Sequence, residues 1–138
     1  MNKNIVFTAG TFDLFHYGHL RFLKRIKKIA NKNNAKLVVG ISTDELVKSY
    51  KKYTPIIDYS HRVEIVNGCK FVDKTVKQTV LIGTELLKKL KPKIIVTLSN
   101  FKNLKGIKWA KQNNIKIIYI NYTKGISTTT IKKRITSV

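Results

Sequence analysis

The segment Gly10-Thr11-Phe12-Asp13-Leu14-Phe15-His16-Tyr17-Gly18-His19 gathers residue types that handle phosphate. Two histidines three apart at a helix start project from one side of its first turn. Free backbone N–H groups and the positive end of the helix dipole lie beside them, so an anion is favoured there. Gly18 leaves room for a phosphate to approach the backbone, and Gly10 permits a tight exit from a strand. Imidazole donors aimed at phosphate oxygens would stabilise the charge that gathers as an α-phosphorus is attacked. A zinc half-site is the competing reading, but His61 falls in a different unit and Cys69 has no thiol partner, so a third ligand is missing.

At the far end, Gly125-Ile126-Ser127-Thr128-Thr129 opens the last helix. Its hydroxyls and N–H groups can serve as an N-cap or as phosphate ligands. Arg62 offers a planar fork that suits phosphate or carboxylate, and a structural salt bridge to Asp44 or Asp73 satisfies it equally well. Asp13 caps the first helix or holds a loop amide and is assigned no chemistry. Trp109 sits in a helical pattern and reads as core.

These residues need a scaffold, and the chain alternates apolar β-branched runs with helical periodicity, the pattern of parallel β-α units. Ile5–Thr8 is the first strand, followed by a helix from about Tyr17 to Ala30 in which Leu20, Phe22, Leu23, Ile26 and Ile29 recur at helical spacing. Leu37–Ile41 is a buried strand, and the polar stretch Ser49–Ser60 reads as a long loop. A helix from about His61 to Lys70 leads into Phe71-Val72, and another from about Glu85 to Leu90 stops before Pro92. Strands Ile94–Thr97 and Lys116–Ile120 flank a helix around Leu104–Gln112, and the last helix begins near Ser127. The expectation is a three-layer α/β, Rossmann-like parallel sheet of about five strands with helices on both faces, binding its ligand beyond the carboxyl ends of the strands.

The 138 residues, 43% of them hydrophobic, suffice for one core, and a single domain over residues 1–138 is expected. No apolar run reaches a membrane span, and the opening residues lead straight into a strand without a signal-peptide pattern. A lone cysteine agrees with a reducing, cytoplasmic setting. With 28 Lys+Arg against 7 Asp+Glu the formal charge is +21, which attracts anions. Because the lysines are dispersed rather than gathered in one tail, nucleic acid is not the favoured partner.

The His16-Tyr17-Gly18-His19 signature resembles that of the cytidylyltransferase family within the HxGH nucleotidyltransferase superfamily. The resemblance continues through Gly40-Ile41-Ser42-Thr43-Asp44-Glu45, Tyr59-Ser60-His61-Arg62, Phe71-Val72-Asp73 and Gly125-Ile126-Ser127-Thr128-Thr129. It implies CTP plus a phosphoalcohol giving a CDP-alcohol and pyrophosphate, with glycerol 3-phosphate favoured and phosphocholine or phosphoethanolamine close behind. Such products serve phospholipid or cell-envelope precursor synthesis. The resemblance implies His16, His19 and Lys51 as catalytic residues. It implies contacts to the nucleotide from Gly10, Thr11, Phe12, Gly18, Asp44, Arg62, Thr97, Gly125, Ile126, Ser127 and Thr128. It also implies a homodimer. With no carboxylate cluster for a dedicated metal site, Mg²⁺ is expected to arrive on the nucleotide.

Two departures bear on specificity. Tyr122 stands where the family carries an arginine associated with the nucleotide phosphates, leaving Lys124 or another lysine to supply the charge. After the fourth strand, Leu98-Ser99-Asn100-Phe101 replaces an acidic or Gly-Asp pair. Related sugar-phosphate adenylyltransferases, which use ATP, also lack that arginine and are the nearest alternative. A nucleotide- or nucleic-acid-binding protein without turnover is the alternative from another class.

Overall fold

Val6 and Phe7, Leu37 and Val38, and Ile94 and Ile95 are neighbours in sequence yet belong to two different cores, because successive strand side chains point to opposite faces of a sheet. A strand buried on both faces therefore reads as an unbroken apolar run, as parallel sheets require. The computed structural model describes residues 4–138, so the opening Met1-Asn2-Lys3 lies outside the described residues. Its strands are β1 (Asn4–Gly10), β2 (Ala35–Ser42), β3 (Lys74–Gln78), β4 (Ile94–Thr97) and β5 (Lys116–Tyr119). Its helices are α1 (Tyr17–Lys32), α2 (Asp44–Lys51), α3 (Tyr59–Asn67), α4 (Thr84–Leu90), α5 (Lys105–Gln112) and α6 (Thr128–Thr136). All pairings are parallel, in the order β3-β2-β1-β4-β5.

The chain starts in the middle strand, winds outward to β3, then returns to β4 on the other side of β1. One face of the sheet is covered by α1 and α3, through Phe22, Leu23, Ile26 and Val66. The other is covered by α4 and α5, through Leu87, Ile107 and Ala110. The reversal of direction falls between β1 and β4, where their carboxyl ends diverge and leave a crevice. Thr8 bridges the two strands just below it, its hydroxyl donating to the Val96 carbonyl at 2.7 Å.

Two elements differ from the sequence reading. The stretch from Ser49 is not loop at its start, because α2 runs through Lys51 and the irregular segment is shorter, from residue 52 to 58. This helix buries only Val47, too sparse an apolar stripe for periodicity to register. It is held instead by its cap, with Thr43 accepting the Leu46 N–H at 3.1 Å, and by Asp44 and Glu45 in the first turn opposite Lys48 and Lys51 in the last. The third strand lies at Lys74–Gln78, past Phe71-Val72, which pack against the core without joining the sheet. An edge strand with Val76 as its sole apolar residue gives little alternation to read.

Candidate functional site

The loop after β1 carries the first half of the site. Phe12 (φ 55°) and Leu14 (φ 49°) both adopt the left-handed conformation, a strained arrangement for bulky side chains that surrounding contacts must hold. Asp13 does much of this. Its carboxylate accepts the N–H groups of Leu14, Ile56 and Ile57 at 3.1, 2.9 and 2.9 Å, so it holds loop amides rather than capping α1.

The cap of α1 is His16. Its Nδ1 accepts the Gly18 N–H at 3.0 Å, and the His16 N–H donates to His19 Nδ1 at 3.2 Å. Each ring thus spends Nδ1 on the backbone, which puts the proton of the neutral imidazole on Nε2 and leaves that N–H as the free donor. The rings stack with centroids 3.8 Å apart. Burial, then the His16 charge, depresses His19 to about 3, partly offset by Asp13; burial also lowers His16. Both rings are neutral donors at neutral pH. Gly18 contributes differently than expected: a Cβ there would sit 2.9 Å from His16 Cε1 and 3.2 Å from Ile126 Cγ2. Its bareness admits the His16 ring and the Ile126 side chain, and it does not face the crevice.

The start of α6 supplies the second half and repeats the same construction. Ser127 Oγ accepts the Thr130 N–H at 3.1 Å while the Ser127 N–H donates to Thr130 Oγ1 at 2.9 Å. The Thr128 hydroxyl donates to the Asp13 carbonyl at 2.9 Å, pinning α6 to the loop after β1. The Thr128 hydroxyl donates within the fold, Ser127 Oγ accepts in its cap, and the N–H groups of Thr128 and Thr129 are donors this turn can offer an anion.

A cavity of about 490 Å³ lies between the two halves. Its wall includes Gly10, Thr11, Phe12, His16, His19, Lys51, Thr97, Ile126, Ser127 and Thr128, so most residues singled out in the sequence converge. Gly18, Asp44, Arg62 and Gly125 are not on that wall. Arg62 is fully buried, and its guanidinium donates to Asp44 Oδ1 (2.6 Å), the Thr11 carbonyl (2.7 Å) and the Ile57 carbonyl (2.9 Å). With every arm of Arg62 engaged, it and Asp44 brace the cavity from behind. Gly125 serves the turn into α6 with φ +82°.

Lys51 is the one Lys or Arg on the wall among the described residues. Lys124 is absent from that wall, so it does not replace the missing arginine there. Tyr122 is on the wall and packs on Phe22, ring centroids 5.2 Å apart. Leu98, Asn100 and Phe101 form the side beyond β4. Sequence reasoning missed Ser42, Gln78, Tyr50, Leu81 and Ile82 on the opposite side; none belongs to a phosphate-binding pattern. No group of three or more His, Cys, Asp or Glu side chains is placed to hold a metal among the described residues. Asp13, the one carboxylate on the wall, has its oxygens taken by amides.

Residues 7–134 match the family model described as cytidylyltransferase-like. The bifunctional protein HldE of Campylobacter fetus is 34% identical over 96% of this chain and 28% of its own length. A probable ethanolamine-phosphate cytidylyltransferase of Encephalitozoon cuniculi is 36% identical over 62% of this chain and 25% of its length. The FAD synthase of Methanopyrus kandleri is 38% identical over 70% of this chain and 62% of its length. The chain thus spans about a quarter of the length of the first two.

Proposed function

The chain belongs to the cytidylyltransferase-like family, and we propose that it transfers the nucleotidyl group of a nucleoside triphosphate, CTP, to the phosphate of a phosphorylated alcohol. The observation that carries this reading is the pairing of two neutral Nε2–H donors with the α6 N-terminus around one cavity. In the reaction an acceptor phosphate oxygen bonds to the α-phosphorus as the bond to the bridging oxygen breaks, and pyrophosphate leaves with the electron pair. A phosphate dianion attacks without giving up a proton, so no general base is needed.

His16 and His19 would donate to the α-phosphate and bridging oxygens, where charge grows most. The N–H groups of Thr128 and Thr129 would receive the departing pyrophosphate. Lys51 would neutralise the incoming acceptor phosphate. Catalysis on this reading is positioning plus electrostatics. Mg²⁺ would be carried by the nucleotide, since Asp13 is the one carboxylate on the wall and holds three loop amides.

CTP is supported by the likeness of this chain to the cytidylyltransferase-like family model and to a probable ethanolamine-phosphate cytidylyltransferase. A second reading, ATP with a sugar phosphate, is favoured by Tyr122 at the arginine position. Pyrophosphate release with each nucleotide, against glycerol 3-phosphate, phosphocholine, phosphoethanolamine and a sugar 1-phosphate, separates them. Release that needs CTP is expected; release with ATP alone sinks the first reading, and none with any pair points to a binding protein. The homodimer is proposed likewise and is checked by sedimentation.

A further inference from the structure

Ile82 is β-branched and buried, yet its backbone is held at φ +42°. That left-handed conformation is strained for such a side chain and persists only where the surroundings over-determine it. Such strain collects at active sites and ligand clamps. Leu81 and Ile82 line the main cavity, and with Tyr50 and Leu104 they also line a second cavity of about 390 Å³ beside it.

Two residues hold this segment from opposite sides. Gln78, fully buried at the end of β3, accepts the Ile82 N–H on Oε1 at 3.0 Å. Its Nε2 donates to Ser42 Oγ at 3.0 Å, at the end of β2. Accepting on one atom and donating from the other fixes which way the amide points, so the loop after β3 is tied to the neighbouring strand. Across the segment lies Gly106, in the first turn of α5, where a Cβ would stand 1.7 Å from the Ile82 carbonyl oxygen and 2.9 Å from its carbonyl carbon. Only a residue without a side chain lets α5 seat this closely. Ile82 is thus gripped at its N–H and backed at its carbonyl.

The order of the sheet says what this wall faces. Strands β2 and β3 lie on one side of β1, and β4 and β5 on the other. Ser42, Lys51, Gln78, Leu81 and Ile82 therefore form the β2–β3 half of the main cavity, and Thr97, Asn100, Phe101 and Tyr122 its β4–β5 half. In the transfer proposed above, the acceptor phosphate meets Lys51 while pyrophosphate leaves towards Thr128 and Thr129. The body of the acceptor then lies in the β2–β3 half, against Leu81 and Ile82.

We infer that Gln78 and Gly106 are positioning residues for the acceptor, holding the Leu81-Ile82 wall in the one shape against which the phosphorylated alcohol binds. The inference rests on the transferase reading. Gly106 borders the second cavity and not the main one, so its effect reaches the acceptor through Ile82.

The test measures pyrophosphate release by the wild type, Gln78→Met, Gly106→Ala and Ile26→Val, the last trimming the core on the opposite face of the sheet. CTP and ATP are each tried, with glycerol 3-phosphate and phosphocholine as acceptors, and KM is determined for nucleotide and acceptor separately. Gln78→Met and Gly106→Ala should each raise the acceptor KM about tenfold, the scale of one ill-fitting apolar contact. Their kcat and nucleotide KM should not change, the mark of binding lost equally from ground and transition states. Ile26→Val, a purely structural loss, should lower the active fraction and move neither KM. A nucleotide KM that rises as much as the acceptor KM, an acceptor KM unmoved in Gln78→Met, or the same signature in Ile26→Val overturns the inference and leaves the transferase reading intact. If Gly106→Ala does not fold, Gln78→Met decides alone. No release by the wild type with any pair overturns the transferase reading, and the inference falls with it.

Discussion

The histidine pair joins structure and chemistry at one atom each. Nδ1 of both rings is committed to backbone N–H groups, so truncation removes a donor to phosphate and a helix cap together. His16→Ala and His19→Ala should each lower pyrophosphate release by on the order of 10² or more. His19→Gln, which offers an amide near the Nε2 position, should recover part of it. The pH dependence carries a distinct sign. Between pH 6.5 and about 3 an unfolded chain holds a proton on His19 that the folded chain does not. Stability is therefore full above pH 6.5 and falls as pH drops through that window. Urea midpoints from pH 7 to 4 should decline in the wild type and decline less in His19→Gln. Behind the cavity, Arg62→Met strands Asp44 and two carbonyls that the guanidinium now satisfies. A loss of about 3 kcal/mol in the same denaturation assay is expected, with Arg62→Lys recovering little because its single ammonium cannot span all three acceptors. That His16 and His19 share one side of a helix start was legible from their spacing, while their roles came from the resemblance. The buried role of Arg62 was one of two open readings, since residue type cannot say which anion a guanidinium meets.

At the level of elements, both helices that point at the cavity begin with a reciprocal cap, His16 with His19 and Ser127 with Thr130. In each, side chains close the first turn so that it enters the site with a fixed direction. The turn before α6 depends on Gly125 at φ +82°, where an added Cβ would meet nothing within 4 Å. Gly125→Ala should thus cost roughly 1 kcal/mol from backbone strain without a clash. It should raise the KM for nucleotide more than it lowers kcat, if this turn binds the β- and γ-phosphates. The strands β1, β2, β4 and β5 and the helices α1 and α5 were readable because their apolar residues are dense and periodic, and α6, which buries no side chain, was readable from the Ser127 and Thr128 cap at its start. Helix α2 and strand β3 were not, since each turns essentially one apolar side chain to a core and relies on caps and pairing. Those two elements carry Lys51, which the resemblance singled out, and Gln78, which no motif marked.

Over the whole molecule, the charge of +21 sets the approach of an anionic substrate more than its final pose. Raising ionic strength from about 0.01 M to 0.15 M shortens the screening length from roughly 30 to 8 Å. The kcat/KM for nucleotide should fall across that range while kcat stays nearly constant, as stopped-flow and steady-state assays can show. No helix among the described residues is long and apolar enough to cross a membrane. The hydrogen bond from the Thr128 hydroxyl to the Asp13 carbonyl spans 115 positions of sequence. It is one of several ties, with Arg62 to Thr11 and Thr8 to Val96, that draw distant stretches of chain onto the exit of β1. Contacts of such separation are slow to close during folding. A chain still being synthesised can complete β1 and α1 early, yet the cavity has only one of its two halves until Thr128 has emerged. Until the last helix docks, the growing polypeptide therefore lacks the tie that Thr128 makes to the exit of β1 and folds on its apolar core.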